Sequence, residues 1–170
     1  MNQSRYDKFY QMMQEIIRSS KLLNEYDSLP HPYGKYILYQ KEAHIISMIG
    51  DNPGITAKEL ALKFDTSESA CSQMIKKLVN KDWISRSMDA KNKRIYHLSL
   101  TSTGLDIYEQ HKKWDERCFR LNYEHLEGYS TEDFEYFFKL LQDINYSLVN
   151  GVEESKSFEL LIKKDRRLDN

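Results

Sequence analysis

At 170 residues the chain can build one full hydrophobic core but hardly two. Its 40% apolar content with only 6 Gly and 3 Pro excludes a low-complexity or loop-dominated chain and points to a mostly helical protein. The net charge of −1 divides unevenly: Thr56–Arg94 carries nine Lys/Arg against five Asp/Glu, a local +4 that leaves −5 elsewhere, so one basic stretch is set in an acidic remainder.

The first expected helix runs from Arg5 to about Tyr26, with Phe9, Met12, Met13, Ile16, Ile17 and Leu23 at helical spacing. These are more apolar positions than one intramolecular face needs. MNQSRYDKFY at the start has no apolar signal-peptide core, and no apolar run nears the ~20 residues of a membrane span. Cys71 and Cys118 read as reduced thiols. The expected location is therefore cytoplasmic.

Leu29 to Gly34 breaks the first helix, and a second runs from Gln40 to about Ile49. Thr56 with Glu59 three residues on forms a capping box for a third helix. Asp65-Thr66-Ser67 caps a fourth, Ser67 to about Lys81, whose buried face should hold Ala70, Met74, Ile75 and Leu78. Ile84–Met88 and Ile95–Leu100 are strand-like, joined by the hairpin tip from Asp89 to Arg94. A long fifth helix follows Thr101, Gly128 ends it, and Ser130 with Asp133 opens a sixth. Past Gly151 a tail containing Phe158, Leu160, Leu161 and Ile162 suggests a short last helix.

The fold class is thus mainly α with a small β-hairpin wing: a winged helix-turn-helix domain joined to a helical dimerisation region. The expected divisions are 1–39, an N-terminal dimerisation helix and loop; 40–104, the DNA-binding domain; and 105–170, C-terminal dimerisation helices and tail.

On the fourth helix Ser67, Ser69, Ser72, Gln73, Lys76 and Lys77 lie off the apolar stripe. Short hydroxyls let a helix backbone approach a groove, Gln bonds adenine at two positions, and Lys reaches guanine or phosphate. Arg86 flanks the hairpin, and its tip carries Lys91, Asn92, Lys93 and Arg94, which have no core role. An arginine on a thin hairpin can enter a narrow minor groove. Double-stranded DNA is the expected partner.

These residues resemble the MarR family of winged helix-turn-helix regulators over roughly residues 5–150. Ala70, Ser72, Ile75 and Leu78 match the family's helix, Trp83-Ile84-Ser85-Arg86 the following strand, Arg94 the wing arginine, and Leu100-Thr101-Ser102-Thr103-Gly104 the last element. Asp82 stands where the family has a glycine in a left-handed cap, and Asn92 where it has the aspartate that orients the wing arginine. The resemblance implies a homodimer through the first, fifth and sixth helices and a pseudo-palindromic operator with half-sites ~34 Å apart.

Glu42-Ala43-His44-Ile45-Ile46-Ser47-Met48-Ile49-Gly50 resembles a run found in one branch of that family, which also has a histidine matching His111. Three readings stay open. His44 and His111 can hydrogen-bond each other or backbone. A small apolar or acyl effector can occupy a crevice lined by Tyr33, Tyr36, Tyr39, His44 and His111. A divalent metal can be held by His44, His111 and Asp115, since positions matching the two histidines belong to a metal site in a zinc-responsive branch. No phosphate loop, Cys-x-x-Cys or His-Glu-x-x-His occurs, so an enzyme is not expected. The expected regulator is a repressor; its rival is a winged-helix protein–protein adaptor without specific DNA binding.

Overall fold

The structure, a computed structural model, describes residues 2–168, with side chains described through residue 159. Two compact units divide the chain, 1–118 and 119–170. In order the elements are α1 (Gln3–Ser28), β1 (Pro30–Tyr33), β2 (Tyr36–Tyr39), α2 (Gln40–Asp51), α3 (Ala57–Lys63), α4 (Glu68–Asn80), β3 (Ile84–Met88), β4 (Tyr96–Leu100), α5 (Ser102–His125) and α6 (Thr131–Leu168). The expected fold class holds.

The first unit folds around α2, α3, α4 and the β3–β4 hairpin. Ile45, Ile46 and Ile49 of α2 meet Leu60 of α3, Cys71, Ile75 and Leu78 of α4, and Ile84, Leu98 and Ile107, all buried. Cys71 is core, and burial pushes its thiol pKa up, against thiolate chemistry. Ala70 and Met74, expected at the centre of the buried face, are only half-buried.

The caps are local chemistry. Thr56 Oγ1 accepts from Glu59 N at 3.3 Å, and Glu59 Oε2 accepts from Thr56 N at 2.9 Å. Ser67 Oγ accepts from Ala70 N at 3.2 Å, so this hydroxyl starts α4. At the other end of α4, Asp82 N donates to Val79 O and Trp83 N to Leu78 O, closing a Schellman turn with Asp82 at φ 57°. The left-handed cap expected at Asp82 is present.

Thr101 Oγ1 donates to Asp82 O at 2.7 Å and accepts from Gly104 N at 3.1 Å, capping α5. A Cβ on Gly104 would lie 2.0 Å from the Trp83 carbonyl oxygen. The Leu-Thr-x-x-Gly element therefore seats the start of α5 directly on the root of the hairpin.

The β1–β2 hairpin was not anticipated. Its four residue pairs run from Pro30↔Tyr39 to Tyr33↔Tyr36 around the turn Gly34-Lys35, with Gly34 at φ 62°. Two prolines in one strand hide it from pattern reading, yet an edge strand tolerates them.

In the second unit Ser130 and Asp133 exchange capping hydrogen bonds at 2.9 and 3.2 Å before α6. α6 continues through Gly151 as one helix of 38 residues, so the separate short last helix expected there is replaced by an extension. The expected apolar side chains Leu160, Leu161 and Ile162 lie outside the described side chains.

Candidate nucleic-acid interface

α3 and α4 meet through the turn at Phe64–Ser67, and α4 leads through Asp82 into the hairpin. On α4, Ser67, Ser69, Ser72, Gln73 and Lys76 are all exposed, as expected. Arg86, Lys91, Asn92, Lys93 and Arg94 are exposed on the hairpin. Ser72, Lys76, Arg86 and Arg94 come together with Lys58 of α3 around a cavity of about 500 Å³ between α4 and the hairpin. Its floor is apolar, with Ile75 and Leu98 among its residues. Four basic side chains, from α3, α4 and the hairpin, thus share one concave face.

Lys77 departs from the expected set. Its Nζ lies 2.9 Å from Glu42 Oε1, and Lys81 Nζ reaches the same oxygen at 2.9 Å. The Glu42 side chain is only 8% exposed. Lys77 on α4 and Lys81 at its C-cap, four residues apart, both reach a carboxylate at the start of α2, so Lys77 serves as an internal tie although its stem is exposed.

The hairpin tip is ordered by its own polar atoms. Asp89 Oδ1 accepts from Lys91 N at 2.9 Å and Asn92 N at 2.8 Å. Asn92 Oδ1 accepts from Arg94 N at 3.0 Å. Asn92 therefore orients the backbone of Arg94. These contacts and the His97 hydrogen bond hold the Asp89 carboxyl at about 2, the His97 bond contributing most. Sequence reasoning missed Asp89 and His97 as wing-shaping residues; their spacing of eight across a hairpin becomes a contact only once the register is known.

The expected effector residues gather only in part. Tyr33 is fully buried and its hydroxyl donates to Gln40 Oε1 at 2.5 Å. Gln40 Nε2 in turn lies 2.9 Å from His44 Nε2. The His44 and His111 rings stand edge-on with centroids 5.6 Å apart, and Tyr33 lies 5.1 Å from His111. The histidines do not bond each other: His111 Nδ1 meets Ser47 Oγ at 3.0 Å and Asp115 Oδ2 at 3.3 Å. Burial pushes the His111 pKa down, with Asp115 opposing and His44 reinforcing the shift. Tyr36 turns away to donate to Asp106 Oδ2 at 2.8 Å, and Tyr39 is exposed at 48%.

Whether this cluster suits a metal turns on His111 Nε2, which is buried without a hydrogen-bond partner. That nitrogen is a suitable donor, and Asp115 sits on the opposite nitrogen, where a carboxylate orients an imidazole instead of ligating beside it. Two imidazoles fall short of the three or four protein donors of a zinc site. Among the described residues no group of three or more His, Cys, Asp or Glu is placed to hold a metal ion. The donor set does not fit.

Two helices joined by a tight turn, then a basic hairpin sharing a face with the second helix, define a winged helix-turn-helix domain. A profile of the MarR family matches residues 38–96. Residues 38–96 therefore match a MarR-family domain, and the elements around them have the fold of a winged helix-turn-helix protein. It is 24% identical over 107 residues to the HTH-type regulator YhjH of Bacillus subtilis, which covers 63% of this chain and 61% of that protein. It is 26% identical over 123 residues to the regulator AdcR of Streptococcus pneumoniae, covering 72% of this chain and 81% of AdcR. Among solved structures, Streptococcus pneumoniae FabT in complex with DNA superposes with a TM-score of 0.64 at 21% identity, covering 85% of this chain and 98% of FabT. The zinc-responsive MarR family member ZitR of Lactococcus lactis gives 0.69 at 16% identity, covering 82% and 97%. These likenesses share the fold. No described helix is long and apolar enough to cross a membrane.

Proposed function

We propose that the chain is a cytoplasmic repressor that binds a pseudo-palindromic operator as a homodimer, reading bases with α4 and the adjoining minor groove with the hairpin. The observation that carries this reading is the shared face of Ser72, Lys76, Arg86 and Arg94 around one cavity between α4 and the hairpin. Exposed Gln73 supplies base recognition, and the cations supply phosphate contacts that position the helix.

Apolar surface supports the homodimer. α1 buries none of its residues, and its Phe9, Ile17 and Leu23 are 49%, 45% and 64% exposed. On α6, Phe137 and Phe138 are 54% and 63% exposed. Aromatic faces of this kind are stable in water only when covered, and a second copy supplies the same faces. Residues 1–39 and 105–170 are accordingly the dimerisation segments around a DNA-binding domain of 40–104.

A small organic effector near Tyr33, His44 and His111 is the favoured means of control. The unpartnered buried His111 Nε2 supports it, because a ligand acceptor or donor there would relieve an unsatisfied polar atom. Such a ligand acts only through unequal affinity for two spacings of the recognition helices.

The test is binding of the purified protein to the DNA upstream of its own gene, titrated with salt, with and without a chelator. Tight, salt-sensitive binding indifferent to chelator supports the proposal. Abolition by chelator would restore the metal-responsive reading through His44 and His111. Binding to no DNA at any salt would favour a protein–protein adaptor.

A further inference from the structure

His97 lies on β4, opposite Ser87 in the hairpin register, one pair in from the tip end of the strands. Its Nδ1 stands 2.7 Å from the Gly54 carbonyl oxygen and its Nε2 stands 2.9 Å from Asp89 Oδ2. A carbonyl and an ionised carboxylate can only accept. Both ring nitrogens must therefore donate, which only the imidazolium can do. A neutral ring would turn a lone pair toward one of the two oxygens.

Both partners lie at the ends of a continuous polar path. Gly54 belongs to the loop between α2 and α3, where Gly54 N donates to Leu98 O at 2.8 Å and Leu98 N to Ile55 O at 3.0 Å. An isolated bridge pairs Thr56 with His97, so this loop acts as a third strand beside β4. On the other side Asp89 holds the amides of Lys91 and Asn92, and Asn92 holds the amide of Arg94. The path thus runs from the body of the domain, through one ring, to the basic tip.

We propose that His97 is the positioning residue of the wing: as an imidazolium it clamps the hairpin tip to the α2–α3 loop, sets the position of Arg94 for DNA, and makes DNA affinity fall as the ring loses its proton. This rests on the DNA-binding reading above and adds pH control to it.

The charged groups around the ring agree in sign. Asp89 faces it from the hairpin and Glu59 from α3, with Lys63 beside Glu59 at greater remove. The Asp89 hydrogen bond first, then that of Gly54, hold the His97 pKa above its ordinary 6.5, and partial desolvation opposes them. The clamp is therefore complete below about pH 6.5 and is released as pH rises through the higher value reached in the folded protein. At the acid end it survives until Asp89 takes a proton, near its value of about 2.

The test compares the wild type with His97→Gln, which is neutral at every pH. Two readouts are followed from about pH 6 to about pH 9, where an unperturbed imidazole would have finished titrating early: the NMR shifts of the His97 ring and of the Lys91 and Asn92 amides, and affinity for the DNA upstream of the gene at fixed salt. The expected result is that both amides titrate with the midpoint of His97. Wild-type affinity should then fall roughly two- to fivefold through that midpoint beyond any fall in the variant, the range spanned by one exposed charged pair. The other histidines remain in both proteins, so only the difference counts. Amides that ignore the His97 titration would overturn the clamp. Amides that follow it while both proteins lose affinity in parallel would overturn its role in binding. Absence of DNA binding at any salt would instead overturn the regulator reading, leaving the amide titration to judge the clamp by itself.

Discussion

Lys77 of α4 and Glu42 of α2 meet with 2.9 Å between Nζ and Oε1, and that contact ties α4 to the helix that carries His44. Lys81 reaches the same oxygen, and Tyr39 N donates to the other at 3.2 Å. Burial alone would push the Glu42 pKa up. The hydrogen bonds of Lys77, Lys81 and Tyr39 together outweigh it and hold the carboxyl below its ordinary 4.5.

Glu42→Gln should therefore cost about 1–3 kcal/mol, the scale of lost charge-assisted hydrogen bonds to a largely buried group. Because the folded pKa is depressed, the wild-type contribution is present above pH 4.5 and is lost as pH falls through the lower folded value. Urea unfolding of both proteins across that range should show the two stabilities converging at the acid end. A constant gap at all pH values would mean that the carboxylate charge is not what matters.

Gly104→Ala should destabilise the first unit by about 1–3 kcal/mol, the usual penalty of forced overpacking. The added methyl would meet the Trp83 carbonyl, a backbone atom that cannot swing aside as a side chain can. Thermal unfolding reads this directly, and an unchanged melting temperature would show that α5 has room to shift.

Asp82→Gly should act in the opposite direction, raising stability by about 0.5–1 kcal/mol through relief of a left-handed residue that bears a Cβ. The Schellman bonds at this position use only backbone atoms, so the change leaves them intact. A loss of stability on the same unfolding assay would show that the Asp82 side chain does more than tolerate its φ of 57°.

Much of this architecture was legible because its causes are local. Thr56 with Glu59, Ser67 before Ala70, and Ser130 with Asp133 are caps written within four residues of each other, and all three form hydrogen bonds as read. The exposed set on α4 follows from helical spacing against a core of Ile75 and Leu78. What escaped reading depends on pairings between distant residues. The β1–β2 hairpin hides behind Pro30 and Pro32, and the Asp89–His97 contact needs the hairpin register. The attachment of Lys77 to Glu42 joins positions 35 residues apart, so a lysine that looks free for phosphate is already engaged. The effector cluster was half legible: Tyr33, His44 and His111 do converge, but Tyr36 is drawn off by Asp106, a partner that periodicity does not reveal.

Gln73→Ala should relax sequence preference more than it weakens binding to random DNA. A bidentate contact to adenine is worth about 1–3 kcal/mol of discrimination, while the phosphate contacts remain. Competition between operator and random duplexes separates the two effects. An equal loss on both would assign Gln73 to the backbone.

The salt dependence of DNA affinity, compared between the wild type and Arg94→Ala, tests the central claim most directly. Arg94 stands exposed beside Lys76 and Arg86 on the face shared by α4 and the hairpin. If that face holds DNA, log affinity should fall linearly with log salt, and the variant's slope should be shallower by about one contact. The dimer should persist in both. An identical slope would remove the wing from the interface, and affinity insensitive to salt in the wild type would contradict DNA binding through this face altogether.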